Sequence, residues 1–396
     1  MNVIFVNYHD FTSPSGMHIF HLANGLARLG VRCVTYNGGK AETVTRYGKP
    51  LFRAYDKRLS PRRLVAETGV DGKDTLIHCW TPREISRLLV RDLTAVLDAP
   101  VVIHMEDHEE AITRANLAAV PEEKKDTDEI WQPGGPLFGS SHPERSRAFL
   151  DSAAGYTCII ERLLEFKPDH VPGHVFWPSC EPEVFDIPPQ AAPGEKERWG
   201  IGPNEKVLFY PGNVHPNNFK EVVQLYLAAG RLRAAGLPLR LIKFGSYPKR
   251  VMELIATIPA IDEVIVDLTE AITPAAIPDV LRAVDYLVQP GADTPFNQYR
   301  FPCKLPLFMA SGRPVILPDT NLGKHLADGE NCLLLREGSA DEIAERLLEL
   351  VRDPVKAEAI GAAGRAFAKE RFSWAHSAKG LKAFYETVLR SAAKGA

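Results

Sequence analysis

Two stretches of the chain, one at its start and one just past its middle, have the same order of strand, loop, helix and strand. In the first stretch, the apolar run Val3–Val6 precedes a polar loop and the segment His18–Leu29, whose apolar residues recur at helical spacing. Gly30 ends this predicted helix, and a second apolar run, Val31–Tyr36, follows at once. A strand joined through a helix to a neighbouring strand is the unit of a parallel α/β sheet.

The same order restarts with the apolar run Lys206–Tyr210, a polar loop and the predicted helix Phe219–Leu232. Strand-like and helix-like runs alternate through the rest of both halves. The further predicted strands are Thr75–His78, Pro100–His104, Gly155–Ile160, Leu239–Phe244, Glu263–Val266, Tyr286–Gln289 and Pro314–Leu317, and the further predicted helices are Pro248–Ile255, Pro278–Ala283, Lys304–Ala310 and Ser377–Leu389. We therefore predict an α/β protein of two Rossmann-like domains, with a ligand cleft between them that faces the carboxyl ends of both sheets.

The stretch Ile187–Gly194 is rich in proline and alanine and is typical of an interdomain linker. We therefore place an N-terminal Rossmann-like domain at residues 1–186, a second at 195–375, and a closing helical segment at 376–396. A chain of 396 residues is long enough for two such domains.

The composition excludes several classes of protein. A hydrophobic content of 45% with 24% charged residues is typical of a folded globular chain, and a net charge of −3 argues against a dedicated nucleic-acid binder. No run approaches the roughly 18 apolar residues that cross a bilayer, and the N-terminus lacks the basic start of a secretory signal. The six cysteines are scattered without a C-x-x-C pair, which favours free thiols in a reducing compartment. We expect a cytoplasmic protein.

One segment, Arg46–Arg63, is strongly basic. It contains seven lysine and arginine residues against a single acid, Asp56, with aromatic residues interleaved. Such a segment attracts a protein to an anionic membrane surface, at about 1 kcal/mol for each basic residue near the lipid. The alternative is a solvated basic face without a partner. The sequence leaves both open, so we expect a cytoplasmic protein with a possible peripheral contact at the inner membrane face.

Several motifs together resemble the retaining GT-B glycosyltransferases, close to their large family 4, the glycosyl transferases group 1. The run FPCKLPLFMASGRPVI at Phe301–Ile316 is similar to the family's helix facing the donor nucleotide. The segments DGENCLL at Asp328–Leu334 and RFSW at Arg371–Trp374 match further motifs. Two further stretches resemble motifs of the family. They are the opening stretch Asn7–Gly30, with Gly16 at the family's glycine position, and the stretch Phe176–Phe185. The resemblance covers essentially the whole chain.

The resemblance implies a hexosyltransferase-type enzyme. It would move a sugar, with retention of configuration, from a nucleotide-diphosphate sugar to an acceptor hydroxyl in glycan, polysaccharide or glycoconjugate biosynthesis. The N-terminal domain would bind the acceptor, the second domain would bind the donor, and the closing helix would pack back toward the N-terminal domain. This class requires no cofactor and no metal ion. Two alternatives remain open: a nucleotide-sugar epimerase or hydrolase, and a catalytically degenerate protein that binds a nucleotide sugar or a partner.

The chain departs from the family at the positions that hold the donor. Tyr299 and Leu307 stand where the family has paired glutamates that contact the donor sugar and ribose. The family's basic pair, which grips the diphosphate, is replaced by Gly212–Asn213 and Asn218. Binding of the diphosphate is therefore left to other groups.

Candidates for donor binding lie at strand ends and helix starts, where basic side chains and backbone amides neutralise phosphate. Arg300 and Lys304 are the leading pair, because two cations beside a helix start are unfavourable unless an anion joins them. The other donor-binding candidates are Gly16, Gly212, Asn213, His215, Asn217, Lys243 and Asn297. Each also has a structural alternative, such as a turn glycine, an asparagine cap or a surface lysine.

The catalytic candidates follow the predicted strand that ends at His104. The resemblance implies that His104 touches the donor sugar, although a histidine at a strand end is often structural; His78 is a weaker candidate of the same kind. Glu106 or Glu109 could orient or deprotonate the acceptor hydroxyl. The alternatives for these acids are favourable charges at a helix N-terminus or, less favoured, a metal site.

Overall fold

The computed structural model of the chain describes residues 1–180, 182–188, 193–215, 217–271 and 276–395. The chain forms two compact units. The first, the N-terminal unit, contains Met1–Pro178, Tyr299–Phe301 and Ser373–Ala396, and the second, the C-terminal unit, contains Ser179–Gln298 and Pro302–Phe372. Residues 189–192, at the centre of the predicted linker, lie outside the described residues.

The N-terminal unit is built on a parallel sheet of seven strands. The strands are β1 (Asn2–Asn7), β2 (Arg32–Asn37), β3 (Arg53–Asp56), β4 (Thr75–Trp80), β5 (Val101–Met105), β6 (Gly155–Cys158) and β7 (Gly173–Val175). Their spatial order is β3-β2-β1-β4-β5-β6-β7. Because β4 is added on the other side of β1 from β2, the direction of strand addition reverses between β1 and β4. In open α/β sheets ligands bind beyond the carboxyl ends of the strands at such a reversal.

Helices cover both faces of this sheet, which explains why its central strands are almost wholly buried. The helices are Pro14–Arg28, Pro61–Thr68, Glu84–Thr94, Glu109–Leu117, Pro143–Asp151 and Trp374–Gly395, with 3₁₀ turns at Ala41–Tyr47, Glu122–Lys124, Asp128–Trp131 and Glu161–Phe166. The final helix lies against the first helix of the chain. A Cβ atom at Gly25 would lie 2.7 Å from the Cβ of Ala378, so the glycine lets these two helices touch.

The C-terminal unit has a parallel sheet of six strands. The strands are β8 (Lys206–Pro211), β9 (Leu239–Phe244), β10 (Ile265–Asp267), β11 (Tyr286–Val288), β12 (Val315–Pro318) and β13 (Leu333–Leu335), in the order β10-β9-β8-β11-β12-β13. The reversal of strand addition falls between β8 and β11. The helices are Pro193–Arg198, Phe219–Ala234, Lys249–Ile255, Ile261–Val264, Ile277–Leu281, Leu305–Ala310, Ala340–Arg352 and Pro354–Arg371, with 3₁₀ turns at Pro182–Asp186, Asn297–Tyr299 and Asn321–His325.

The predicted α/β class with two Rossmann-like sheets is confirmed, and two local predictions need correction. The strand predicted at Glu263–Val266 begins only at Ile265, because Ile261–Val264 forms a short helix. The first helix begins at Pro14 rather than His18, because Ser13 caps it and proline is favoured in the first turn. The short strands β3, β7 and β13 were not predicted, since runs of three or four residues carry little periodicity.

Candidate functional site

A cluster of polar side chains lies where the strand order of the N-terminal sheet reverses. Glu106 follows β5 and is 9% exposed. It accepts a hydrogen bond from the Ser15 hydroxyl, and its Oε1 lies 2.7 Å from His18 Nδ1. Ser15 and His18 are three residues apart in the first turns of the helix Pro14–Arg28 and therefore share one face of it. The Ser15 hydroxyl also lies 3.3 Å from the Tyr8 hydroxyl, just after β1.

These contacts determine the charge of Glu106. Burial alone would raise the pKa of this carboxyl, but its hydrogen bonds with His18 and Ser15 and the nearby imidazoles lower the pKa to about 2. Glu106 is therefore a carboxylate whose oxygens are already hydrogen-bonded. It can orient the groups around it, and its role toward an acceptor stays a prediction.

Gly16 lies inside the first helix rather than in the loop before it. A Cβ at this position would lie 2.4 Å from the carbonyl oxygen of Asp10 and 2.6 Å from the Cα of Phe11. The glycine thus allows the loop after β1 to pack directly on the helix. Its amide donates to the Ser13 hydroxyl at 3.1 Å, as a capped helix start requires. Its role in donor binding stays a prediction.

Glu109 is held by an arginine that the sequence reasoning missed. The guanidinium of Arg83, after β4, donates to both oxygens of Glu109 at 2.9 and 3.0 Å, and Ser141 Oγ donates to Glu109 Oε2 at 2.8 Å. The same guanidinium lies over the Tyr8 ring, 4.3 Å from its centroid. Glu109 is 2% exposed. A bidentate, buried carboxylate of this kind fixes the local geometry, and the role of Glu109 toward an acceptor stays a prediction.

Asp107 differs from its two acidic neighbours. It is half-buried, and within the described residues no hydrogen bond reaches its side chain. Burial, together with the nearby carboxylate of Glu109, raises the pKa of Asp107 to about 7, although Arg300 acts in the opposite direction. Asp107 is therefore a further candidate, beside Glu106 and Glu109, for exchanging a proton with an acceptor hydroxyl. The sequence pattern pointed only to Glu106 or Glu109, and their roles stay predictions.

His104 lies inside an aromatic cluster. Its ring stacks on Phe176 at 4.9 Å between centroids and lies 4.0 Å from the Trp80 ring, and it is wholly buried. Its Nδ1 lies 2.8 Å from the Thr157 hydroxyl, which His78 Nε2 shares at 2.9 Å. Burial lowers the pKa of His104 to about 3, so the ring is neutral. Within the described residues His104 Nε2 has no hydrogen-bond partner, and contact with a donor sugar stays a prediction.

His78 has a structural explanation. Its Nδ1 lies 2.6 Å from the hydroxyl of Tyr385 on the final helix, in addition to its contact with Thr157. Both ring nitrogens are thus occupied in joining the final helix to the sheet.

In the C-terminal unit, Lys304 lies at the carboxyl end of β8. Its ammonium is 4.0 Å from the centroid of the Tyr210 ring and would lie 2.6 Å from a Cβ at Gly212. Gly245, after β9, also packs on this point, because its own Cβ would meet the carbonyl oxygen of Gly212 at 2.6 Å. The amide of Gly212 donates to the carbonyl of Phe244 at 2.8 Å, so what this glycine provides is room for the Lys304 ammonium at the reversal of strand order, where phosphate groups are commonly bound.

The loop after Gly212 is stabilised by its own polar groups. Asn213 Oδ1 accepts from the amide and hydroxyl of Ser246 at 2.9 and 3.1 Å. Asn218 Oδ1 accepts from the amide of His215 at 2.8 Å, and His215 Nδ1 accepts from the amide of Asn217 at 3.3 Å. These asparagines shape the loop, and hydrogen bonds from Asn213, His215 or Asn217 to a ligand stay a prediction.

Lys243 is buried and paired. Its ammonium donates to Asp267 Oδ2 and to the Thr269 hydroxyl, both at 2.9 Å, and lies 4.4 Å from the Tyr247 ring centroid. The structure thus gives this lysine an internal ion pair between β9 and β10. Its predicted contact with the donor is not tested by these contacts.

Asn297 is buried beyond the end of β11. Its side-chain amide donates to the backbone carbonyl of Ala292 at 3.0 Å and to the carboxylate of Glu221. Its backbone carbonyl accepts from the side-chain amide of Asn321 at 2.9 Å. Glu221, in the first turn of the helix Phe219–Ala234, was missed by the sequence reasoning. Gly291, with φ of +149°, lies between the two side chains, since its Cβ would be 3.4 Å from Asn297 Nδ2. These groups and Lys304 lie at neighbouring strand ends of the C-terminal sheet.

Arg300 and Lys304 are close in sequence and belong to different units. Tyr299–Phe301 clusters with the N-terminal unit, where the Tyr299 hydroxyl donates to Glu165 at 2.8 Å and Arg300 influences the charge of Asp107. Lys304 belongs to the C-terminal unit. The sequence interval could not show this division.

Among the described residues, no group of three or more His, Cys, Asp and Glu side chains is arranged to hold a metal ion. Among the same residues, no helix is both long and apolar enough to cross a bilayer.

Comparison with known proteins shows what parts of the chain are similar to. The profile of the glycosyl transferases group 1 family matches residues 205–353. D-inositol 3-phosphate glycosyltransferases from Rhodococcus erythropolis and Nocardia farcinica are 29% and 28% identical over 194 and 198 residues, which is 47% and 48% of this chain and 42% of each relative. The chain thus spans less than half the length of these curated relatives. The match over residues 205–353 agrees with the resemblance seen in the sequence.

Solved structures share the fold over almost the whole chain. A complex of Anabaena HepE with UDP and glucose has a TM-score of 0.71 at 12% identity, covering 98% of this chain and 100% of HepE. The lipopolysaccharide glycosyltransferase WaaG has a TM-score of 0.62 at 14% identity, covering 95% and 98%. The predicted GT-B class is therefore confirmed at the level of the fold.

Proposed function

We propose that the chain is a hexosyltransferase-type glycosyltransferase that moves a sugar from a nucleotide-diphosphate sugar to an acceptor hydroxyl with retention of configuration. The observation that carries the proposal is the Lys304 ammonium in the space left by the missing side chain of Gly212, inside the segment that matches the group 1 family. The curated relatives are named as glycosyltransferases, and structures with this fold hold UDP and UDP-glucose. We further propose a role in glycan, polysaccharide or glycoconjugate biosynthesis.

The donor chemistry follows from charge. As the glycosidic bond breaks, the departing diphosphate gains negative charge that must be stabilised. Lys304 would supply a point charge, and the absence of a side chain at Gly212 would let phosphate oxygens approach that charge. This requires no metal ion or other cofactor, and activity that survives chelation with EDTA would support that proposal.

The acceptor chemistry would use the N-terminal unit. Retention places the acceptor hydroxyl on the same face of the sugar as the departing phosphate, which would take the hydroxyl proton. Asp107, whose pKa is raised to about 7, would orient this hydroxyl or share its proton. Arg83 and Glu109 would hold the surrounding loops in place.

The test of donor binding is thermal unfolding against nucleoside diphosphates and their sugars, without metal. A ligand at 100 times its Kd adds about 2.7 kcal/mol to stability. Replacing Lys304 by Met should weaken that binding about 10- to 100-fold, the effect of losing a charge-assisted hydrogen bond. Lys369→Met, a change of an exposed lysine of the same unit, is the matched control.

The outcomes separate the alternatives. Donor binding followed by transfer supports the proposal. Consumption of the donor without any acceptor favours an epimerase or hydrolase. Binding without turnover favours a degenerate binding protein, and the absence of any shift removes the donor assignment.

We also propose that the chain is cytoplasmic and touches the inner membrane face through its basic segment. Arg46, Lys49, Lys57 and Arg62 are exposed, and within the described residues they form no ion pair. The neighbouring Leu51 is 52% exposed. Because this segment includes the edge strand β3 and the start of the helix Pro61–Thr68, its cations are presented on one margin of the sheet.

Flotation with phosphatidylglycerol vesicles tests this membrane contact, with phosphatidylcholine vesicles as the neutral reference. Changing the four unpaired cations to Gln should abolish flotation, since each contributes about 1 kcal/mol near an anionic surface. The control changes four exposed cations of the C-terminal unit to Gln, namely Lys249, Arg250, Arg336 and Lys369. Equal flotation of the two variants would contradict the proposal.

A further inference from the structure

A cavity of about 260 Å³ lies within the N-terminal unit, beside the acidic cluster that follows β5. Its walls come from the end of β5, from the helices Glu109–Leu117 and Pro143–Asp151, and from the segment that follows the 3₁₀ turn Glu161–Phe166. The floor is apolar and includes Met105, Leu150 and Phe166. A volume just below the roughly 300 Å³ of a drug-sized pocket suits one small ring.

The charged groups around the cavity are mostly acids. Glu109, Glu110, Asp151 and Glu165 line it, against only two basic side chains. The two basic groups are already engaged. Arg147 forms an ion pair with Glu110 at 2.9 Å, and the ammonium of Lys167 donates to the carbonyls of Pro168 and Val171 at 2.9 and 2.8 Å.

Two of the four carboxylates are engaged as well, since Glu109 is bound by Arg83 and Ser141, and Glu165 by Arg162 and the Tyr299 hydroxyl. The other two have fewer partners. Within the described residues, the exposed side chain of Asp151 has no ion pair or hydrogen bond, and Glu110 has only the exposed pair with Arg147. A carboxylate accepts hydrogen bonds and donates none, so it binds hydroxyl groups well and repels phosphate. The apolar floor would pack against the C–H face of a ring, whose hydroxyls would reach the acids at the rim.

The cavity shares a wall with the candidate site. Glu109 lines the cavity and also binds Arg83, whose guanidinium covers the Tyr8 ring at the reversal of strand order. Phe166 lines the cavity and packs on His108, 4.7 Å between ring centroids, which caps the helix beginning at Glu109. A ring held in the cavity would therefore lie next to the acidic cluster.

We propose that this cavity binds a neutral, hydroxyl-bearing ring, a sugar or cyclitol without a phosphate, as part of the acceptor. The assignment of the ring to the acceptor rests on the proposed transferase function, whereas the binding of the ring does not. The acids at the rim discriminate against an anionic ring, and no cation lining the cavity is available to reverse this preference without breaking an existing contact.

The test is a saturation-transfer NMR titration of the full chain, without donor, using methyl α-D-glucopyranoside and glucose 6-phosphate as probes. We expect the neutral glucoside to bind and the phosphate to bind at least tenfold more weakly. Asp151→Lys should reduce this ratio at least threefold, and because Asp151 is exposed the variant should fold. Asp98→Lys is the control, because Asp98 is an exposed aspartate of the same unit that does not line the cavity.

The inference is overturned if the phosphate binds as well as the glucoside, if neither probe binds, or if the two lysine variants behave alike. The nucleotide-sugar assay is run on the same samples. Retained turnover of a donor with any of these results would reject the cavity assignment alone, and loss of donor binding with normal glucoside binding would reject the transferase function alone.

Discussion

The buried histidine His104 should make the N-terminal unit lose stability below pH 6.5. Burial lowers the pKa of His104 to about 3, against about 6.5 in an unfolded chain. A base with a depressed folded pKa contributes its full stability above the unfolded pKa and loses it as the pH falls below that value. A pH of 5 lies about 1.5 pH units below the pKa of the histidine in the unfolded chain. Protonation of the unfolded state therefore favours unfolding by about 2 kcal/mol.

Another group acts in the opposite direction over the same range. The pKa of Asp107 is raised to about 7, so the folded state binds a proton between pH 8 and pH 5 while the unfolded carboxyl does not. This adds about 2 to 3 kcal/mol of stability at pH 5. The wild-type profile alone therefore does not isolate the histidine, and a variant is needed.

His104→Phe removes the titrating group and keeps a ring against Phe176 and Trp80. Urea unfolding followed by tryptophan fluorescence gives the free energy of unfolding at pH 8 and at pH 5. The variant will be less stable at pH 8, because the Thr157 hydroxyl loses a partner, but between the two pH values it should lose about 2 kcal/mol less than the wild type. His170→Gln, at an exposed histidine, should leave the difference unchanged. Equal pH dependence in the wild type and His104→Phe would refute the description of a neutral, buried imidazole.

Three further predictions concern single side chains. Gly16→Ala should lower the free energy of unfolding by about 1–3 kcal/mol in urea, because its Cβ would lie 2.4 Å from a backbone oxygen, whereas Gly139→Ala, in open space, should have little effect. Arg313→Met should lower the free energy of unfolding by about 2–4 kcal/mol in the same assay, since the buried guanidinium donates to the carbonyls of Pro188 and Leu281. An unchanged free energy of unfolding would mean that water takes over the hydrogen bonds of the guanidinium. Asp107→Asn should remove an inflection near pH 7 from the rate of transfer, which in the wild type falls as the carboxyl is protonated; an unchanged pH profile would exclude Asp107 from the reaction.

The sheets could be predicted from the sequence because their central strands are buried on both faces. Val3–Val6 is a continuous apolar run that is followed by a loop and a helix with a clear apolar face. The edge strand Arg53–Asp56 lacks this signal, since it is short, polar and covered on fewer sides. Its basic flanks were visible as a charged segment and not as a strand.

The candidate site was predictable only in part. Glu106 could be placed at a strand end because the apolar run stops just before it, but its partners Ser15 and His18 are about 90 positions away in sequence and become neighbours only through the strand order. Arg83 follows a strand in the same way, and attention to every charged residue at a strand end would have found it. The placement of Arg300 apart from Lys304 depends on tertiary packing, for which local spacing carries no information.

The proposed transfer of a sugar with retention is tested most directly by NMR observation of a nucleotide-diphosphate sugar incubated with the chain, EDTA and a hydroxyl acceptor such as methyl α-D-glucopyranoside. UDP-glucose is the first donor to test, because structures with this fold hold it. We predict that nucleoside diphosphate is released together with a product that keeps the anomeric configuration of the donor, and that Lys304→Met reduces the rate while Lys369→Met does not. A product of inverted configuration, or equal rates for the two variants, would contradict it.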